Sequence, residues 1–191
     1  MSFKGKVIVL RRLVVGDEDL LVKVYGWGGL MNMLVKDGAL PSSRYVSIFE
    51  PFNVLELSYR QVGEIILPLD VSKVRYLSYL ALESYERYMW MCHLGNFFLR
   101  WVRYYDQQLF DLFLLYLSAK VRNTKVFLIR FKLEVLKAMG LYKEELFEED
   151  LRRAVRDIKR GSRLFLERMR LNQQLAEKIE RAIEDQLTQH L

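Results

Sequence analysis

At 51% hydrophobic and 13% aromatic, this chain of 191 residues has the apolar material for a packed core, which excludes intrinsic disorder. A formal charge of +6 permits a polyanionic partner, and a single cysteine, Cys92, excludes both a disulfide framework and a multi-cysteine zinc site. Arg100, Arg103, Lys120 and Arg130 interrupt the most apolar stretches before they reach membrane-spanning length, and residues 1–6 hold no signal-peptide core, so the expected setting is cytoplasmic with no membrane contact.

Taken in order, Val7-Ile8-Val9-Leu10 opens a β-branched run to residue 15, and Gly16-Asp17-Glu18-Asp19 is a turn by composition. Residues 20–25 read as the return strand of a hairpin closed by Gly26-Trp27-Gly28-Gly29, and residues 30–35 as a third strand. A loop over 36–43 precedes a long strand from Arg44 to Leu57, bent at Pro51, which has no N–H to donate to a ladder. Beyond the proline, Val54, Glu56 and Ser58 should face one way and Asn53, Leu55, Leu57 and Tyr59 the other. Val62-Gly63 turns the chain into a fifth strand over 64–69. Five short antiparallel strands in about seventy residues predict a small Greek-key barrel, with the OB-fold leading and an SH3-like barrel the rival.

From Ser72 the period changes. Tyr76, Leu77, Leu80, Ser84 and Met91 fall at helical spacing with Ser72 a possible cap, and further helices are expected over 94–105, 107–119 and 125–139, the last ended by Gly140. Residues 147–191 read as helix with a possible break at Gly161-Ser162. The expected fold class is therefore α+β, an OB-fold barrel over residues 1–71 followed by an all-α domain over 72–191.

No residue pattern supports catalysis. Cys92 and His93 are neighbours on a helix and point about 100° apart, so they do not share a reaction centre. The acidic residues Glu144, Glu145, Glu148, Glu149 and Asp150 fit a solvated helix start better than a metal site. The glycine cluster at 26–29 lacks the Lys-Ser/Thr and helix of a phosphate loop. The expectation is a protein that is not an enzyme, with no cofactor and no metal.

Binding is better supported. On a barrel, aromatic rings can stack bases while cations meet phosphates. The candidates are Lys4, Lys6 and Arg11 or Arg12 on the first strand, Lys36, Arg44 and Tyr45 around the third loop, and Trp27 and Tyr59. Arg11 and Arg12 point to opposite faces, so at most one belongs to any patch. The bland alternative is a solvated edge that keeps the barrel soluble. Charge is also concentrated late in the chain: residues 151–191 carry ten basic and six acidic side chains, four of the six excess charges. There Arg152, Arg156, Lys159, Arg163 and Arg170 form a helical stripe opposite Leu151, Val155, Ile158, Phe165 and Met169, provided the helix continues through Gly161. That stripe either meets a polyanion or lies solvated over the core.

These features together resemble the bacterial recombination-mediator family RecO. The resemblance is carried by Val9-Leu10-Arg11, Gly16-Asp17-Glu18-Asp19 and Gly29-Leu30, then by Ser43-Arg44-Tyr45, Glu50-Pro51-Phe52 and Leu55-Glu56-Leu57. In the helical part it is carried by residues 79–83, 109–115 and 130–140, so that it covers roughly residues 3–142. It implies an OB-fold followed by helices, binding and annealing of single-stranded DNA, and assistance in loading recombinase. Implied partners are RecR-like and single-strand-binding proteins. Two departures stand out. The third-strand loop, 35–44, keeps only Lys36 and Arg44 of the family's basic residues and adds Asp37, and the four zinc-binding cysteines found in many members after the glycine equivalent to Gly140 are missing. The basic stripe of Arg152, Arg156, Lys159 and Arg163 is then a candidate to replace the lost positive surface, and the alternative function is a protein-interaction module of the same fold.

Overall fold

The computed structural model describes residues 1–190. Five strands, β1 (Ser2–Val15), β2 (Asp19–Gly26), β3 (Gly29–Val35), β4 (Val54–Val62) and β5 (Ile65–Arg75), close into a barrel in the order β1-β2-β3-β5-β4. All neighbours are antiparallel except β3 and β5, which meet in parallel through Asn32 opposite Ile65 and Met33 opposite Ile66. This is the OB-fold arrangement, a five-stranded Greek-key barrel. Closure needs one strand to serve two neighbours: β1 pairs with β4 through residues 2–8 and with β2 through residues 7–15, and an irregularity between Val9 and Arg11 lets it turn the corner. Alternation decides what enters the barrel. Val7, Val9, Val22, Val24, Met33, Val35, Leu55, Leu57, Tyr59 and Ile66 fill it, while Glu56 and Ser58 face outward as the strand pattern predicts.

The expected strand over 44–50 does not form. Residues 36–53 are a chain of turns, with Asp37, Ser47 and Phe52 at φ of 56°, 63° and 77°. No strand survives such reversals. Instead Tyr45 and Phe49 turn inward and pack edge to face at 5.3 Å against the barrel interior. Buried Asn53 fastens the loop: its Nδ2 donates to the carbonyls of Ser47 and Ile48 at 3.1 and 3.0 Å, and its Oδ1 accepts from the Ser78 N–H at 3.1 Å. The backbone beside it is tied to β1, with Phe52 N–H donating to Val9 O at 2.7 Å and Val9 N–H to Asn53 O at 2.9 Å. Pro51 thus sits in the turn that delivers β4.

The fifth strand runs on to Arg75, and Ser72 is part of it, its hydroxyl donating to Glu56 O at 3.0 Å rather than capping a helix. A 3₁₀ segment, Leu77–Leu82, follows, and Ser84 is the true cap, accepting from the Arg87 N–H at 3.1 Å to start α1 (Tyr85–Trp101). The helix expected over 94–105 is therefore the second half of α1, and it stops at Trp101. Compactness divides the chain into Met1–Phe110 and a second unit from Asp111 onward, so α1 sides with the barrel beyond the boundary read at residue 71. The reason is visible at Tyr25, whose ring meets Phe98 of α1 edge to face at 4.8 Å.

The second unit comprises most of α2 (Gln107–Ser118), then α3 (Thr124–Ala138), α4 (Glu149–Arg160), α5 (Arg163–Arg168) and α6 (Gln173–Thr188). Helix α3 is its axis: Phe131 packs against Phe113 and Tyr116, and Ile129, Leu133 and Leu136 are also buried. Gly140, at φ +74°, ends α3 as its place after the apolar run predicts. At Gly161 the backbone becomes extended, and a Cβ there would lie 2.7 Å from Asp157 O and 2.6 Å from the Phe165 ring. The long terminal helix is thus three helices, and Phe165, placed by the wheel on the apolar face, is exposed. Among the described residues no helix is long and apolar enough to cross a membrane.

Candidate nucleic-acid interface

Because β3 and β5 pair through only two residues, they part beyond Met33 and Ile66 and leave a groove of about 440 Å³. Its walls are Leu34, Leu67, Pro68 and Leu69, its cations are Lys36, Arg44 and Arg60, and Asp37 lines it as well. Three separate stretches supply them: the end of β3, the turn segment and β4. Lys36 and Arg44 were singled out in the sequence, whereas Arg60 was missed. Extending the outward series Glu56, Ser58 by one step would have found it.

The three cations are held differently. Arg44 donates from Nη2 to the Tyr45 hydroxyl at 2.6 Å and to Leu69 O at 3.3 Å, with its guanidinium carbon 4.7 Å from the centre of the Tyr45 ring. No carboxylate neutralises it among the described residues, so its charge is presented in a fixed position. Arg60 is exposed and likewise has no ion pair among the described residues. Lys36 bonds to Asp19 Oδ2 at 3.0 Å. The Asp37 N–H, aimed at Asp19 Oδ1 at 2.9 Å, and then Lys36 itself hold the Asp19 carboxyl below its ordinary range. Tyr45 belongs to the groove in a different sense from the one expected: it is buried, so it orients Arg44 and offers no face to a base.

The remaining candidates on the barrel fall elsewhere. Lys4 and Lys6 line a second groove of about 390 Å³ together with Glu56 and Asp70, and Glu56 lies 3.7 Å from Lys6 and 4.0 Å from Lys73. Mixed charge makes that groove a poor trap for phosphate. Arg12 pairs with Glu50 at 2.9 Å, while Arg11, on the opposite face, has no ion pair among the described residues. Tyr59 is buried, with Phe3 stacked on it at 5.7 Å. Between Arg11 and the groove, the outward face of β1, β2 and β3 carries Leu13, Leu21 and Leu34 in one cross-strand row, beside Lys23 bonded to Asn32 at 2.8 Å. That row contains no aromatic ring.

The basic stripe of the second unit does not form a continuous surface, because the helix ends at Gly161. Four of its five cations, all but Arg170, also have an internal task. Arg152 donates to Phe147 O at 3.0 Å and Glu145 O at 3.1 Å, and Arg156 meets Glu144 at 2.7 Å. Lys159 lies 3.6 Å from the centre of the Tyr142 ring, and burial, reinforced by Lys137, lowers its pKa. The Tyr142 hydroxyl is pushed up to about 12, first by burial and then by Glu144. Arg163 donates to Lys120 O at 2.5 Å. The acidic cluster supplies two of these partners, the Glu144 carboxylate and the Glu145 carbonyl, and the described residues contain no group of three or more His, Cys, Asp or Glu arranged to hold a metal ion.

No family model matches the chain. The fold and groove define an OB-fold barrel with a helical extension. An uncharacterized protein of Aquifex aeolicus (strain VF5) is 34% identical over 162 residues, covering 83% of this chain and 75% of that one, and the chain belongs to the same family as that protein.

Proposed function

We propose that this protein binds single-stranded DNA in the groove between β3, the 36–45 segment and the β4–β5 pair, and acts as a recombination mediator resembling RecO. In this reading it anneals complementary strands and assists recombinase loading in the cytoplasm, with RecR-like and single-strand-binding proteins as partners and no catalytic chemistry of its own. The observation that supports it is the convergence of Lys36, Arg44 and Arg60 on one groove, three cations against Asp37, with neither arginine in an ion pair among the described residues. Phosphate contacts of this kind supply most non-specific affinity, and three of them give a logarithmic salt slope of roughly −2 for a single strand. The test is fluorescence anisotropy of a labelled single strand and of a duplex at about 50 and about 200 mM salt. Saturable binding of the single strand with that slope is expected, and absence of binding at the lower salt overturns the reading.

The aliphatic row of Leu13, Leu21 and Leu34 favours a second reading, a protein-interaction module. A face of leucines buries well against another protein and stacks poorly on bases. The turn 16–19 at its margin adds Asp17, Glu18 and Asp19, which repel phosphate.

A further inference from the structure

The rings missing from the sheet face are gathered at the other end of β3. Trp27, at the tip of the β2–β3 turn, is 77% exposed, and Tyr104, in the segment after α1, is 86% exposed. One exposed ring is ordinary on a protein surface, but here the segments that carry the two are bonded to each other. They are also mounted rigidly. The Leu30 N–H donates to Arg103 O at 3.0 Å, and the Tyr25 hydroxyl donates to Tyr104 O at 3.1 Å and accepts from the Asp106 N–H at 3.0 Å. Gly29 makes this approach possible: at φ +76°, a Cβ on it would sit 2.4 Å from Arg103 O. Tyr105 fills the space beneath, its ring centre 6.5 Å from Trp27, 5.9 Å from Tyr25 and 6.2 Å from Phe110. The cation of the same segment, Arg103, donates to the carbonyl of Leu99 in the last turn of α1 and has no ion pair among the described residues.

From this arrangement we infer that Trp27, supported by Tyr105 and flanked by Tyr104 and Arg103, is a stacking shelf for an unpaired nucleobase. The inference depends on the reading that the barrel binds single strands, and it adds a second contact at the opposite end of β3, about 20 Å from Lys36 at strand rise. A strand running from the groove along the outward face of β3, past Lys23 and Asn32, meets the shelf. Phosphates are then held by Lys36, Arg44 and Arg60, and base stacking is confined to the far end. An open indole face accepts any base, and Arg103 stands where the adjoining phosphate needs a counter-charge. A protein hot spot is the competing use of such rings, but a cation without an ion pair on the segment bonded to the β2–β3 hairpin favours the polyanion.

The test exploits the other two tryptophans. Trp90 and Trp101 are 3% and 4% exposed, so quenching of tryptophan emission by a solute reports chiefly on Trp27. The full chain is titrated with oligothymidylate and with an abasic sugar–phosphate chain of equal length, and emission and anisotropy of the labelled strand are read together. Oligothymidylate is expected to quench the emission and shield it from acrylamide. The abasic chain binds more weakly and leaves emission unchanged. Trp27→Ala removes the quenching and weakens oligothymidylate binding about tenfold, Tyr104→Ala weakens it less, and Trp27→Phe restores much of the affinity. Binding by anisotropy without quenching or shielding overturns the shelf and leaves the groove standing. Equal affinity for the two chains, unaffected by Trp27→Ala, does the same and returns the shelf to a protein partner. No anisotropy change with either chain overturns the groove and the shelf together.

Discussion

The groove on the barrel and the basic stripe of the second unit are built from the same residue types, but the fold gathers the first and interrupts the second. In the groove, Arg44 is positioned by a phenol, a ring face and a carbonyl, none of which cancels its charge. On α4, Arg156 meets Glu144 as Lys36 meets Asp19 in the groove, Arg152 and Lys159 are held by carbonyls and by the Tyr142 ring, and the row is broken where the helix ends at Gly161. A count of basic residues points to the stripe, whereas their convergence in space points to the groove. Positive charge becomes a binding surface where the fold brings cations from separate stretches onto one groove.

The contrast is most directly broken by charge reversal. Replacing Lys36, Arg44 and Arg60 together with Glu should lower single-strand affinity by about 100-fold or more at low salt and abolish the salt slope. Reversing Arg152, Arg156 and Arg163 should leave affinity within about twofold, and an equal loss from both sets would show that the stripe meets the strand as well.

Stability sharpens the comparison next. Asn53→Ala strands two carbonyls and one N–H around a buried site, so urea unfolding of the variant should show a loss of about 3 kcal/mol. Groove affinity should fall with it, because the 36–53 segment carries Arg44. In the second unit, Arg152→Ala removes bonds to Phe147 O and Glu145 O and should cost about 1 kcal/mol by the same measurement, with binding unaltered. Binding loss from Arg152→Ala without a fall in stability would reverse the roles given to the two regions.

The smallest effect is a pH dependence. Burial raises the Tyr25 hydroxyl to about 12 against an ordinary value near 10. The folded state holds this proton more tightly than the unfolded chain, so the stabilisation is complete below about pH 10 and is lost as pH rises to about 12. Tyr25→Phe should flatten the stability curve in that window and loosen the Arg103–Asp106 segment, which chemical unfolding at stepped pH and acrylamide quenching of Trp27 will read.

Much of the fold was legible because its signals are local. The alternation from Leu55 to Tyr59, the turn at 16–19, Gly140 closing α3 and the interruption at Gly161 each follow from a few neighbouring residues. The 44–50 segment was misread for the same reason. Tyr45, Val46, Ile48 and Phe49 have strand-forming side chains, but Asn53 and the positive φ of Ser47 and Phe52 fold them into turns that plug the barrel. The spacing puts Ser72 at the cap and Ser84 inside the helix, and the continued pairing of β5 with β4, Ser58 opposite Asp70 and Glu56 opposite Lys73, leaves the cap to Ser84.

The sequence by itself determined the succession of strands and helices, the inward set of apolar residues and the surplus of basic charge, because periodicity and composition act over short spans. Which cations remain available was decided by tertiary structure. Barrel closure brings residues 36, 44 and 60 together across gaps in sequence, and packing of the second unit places Glu144 against Arg156 and Tyr142 against Lys159. Pairing depends on separation in space, and a linear chain states that only after it has folded.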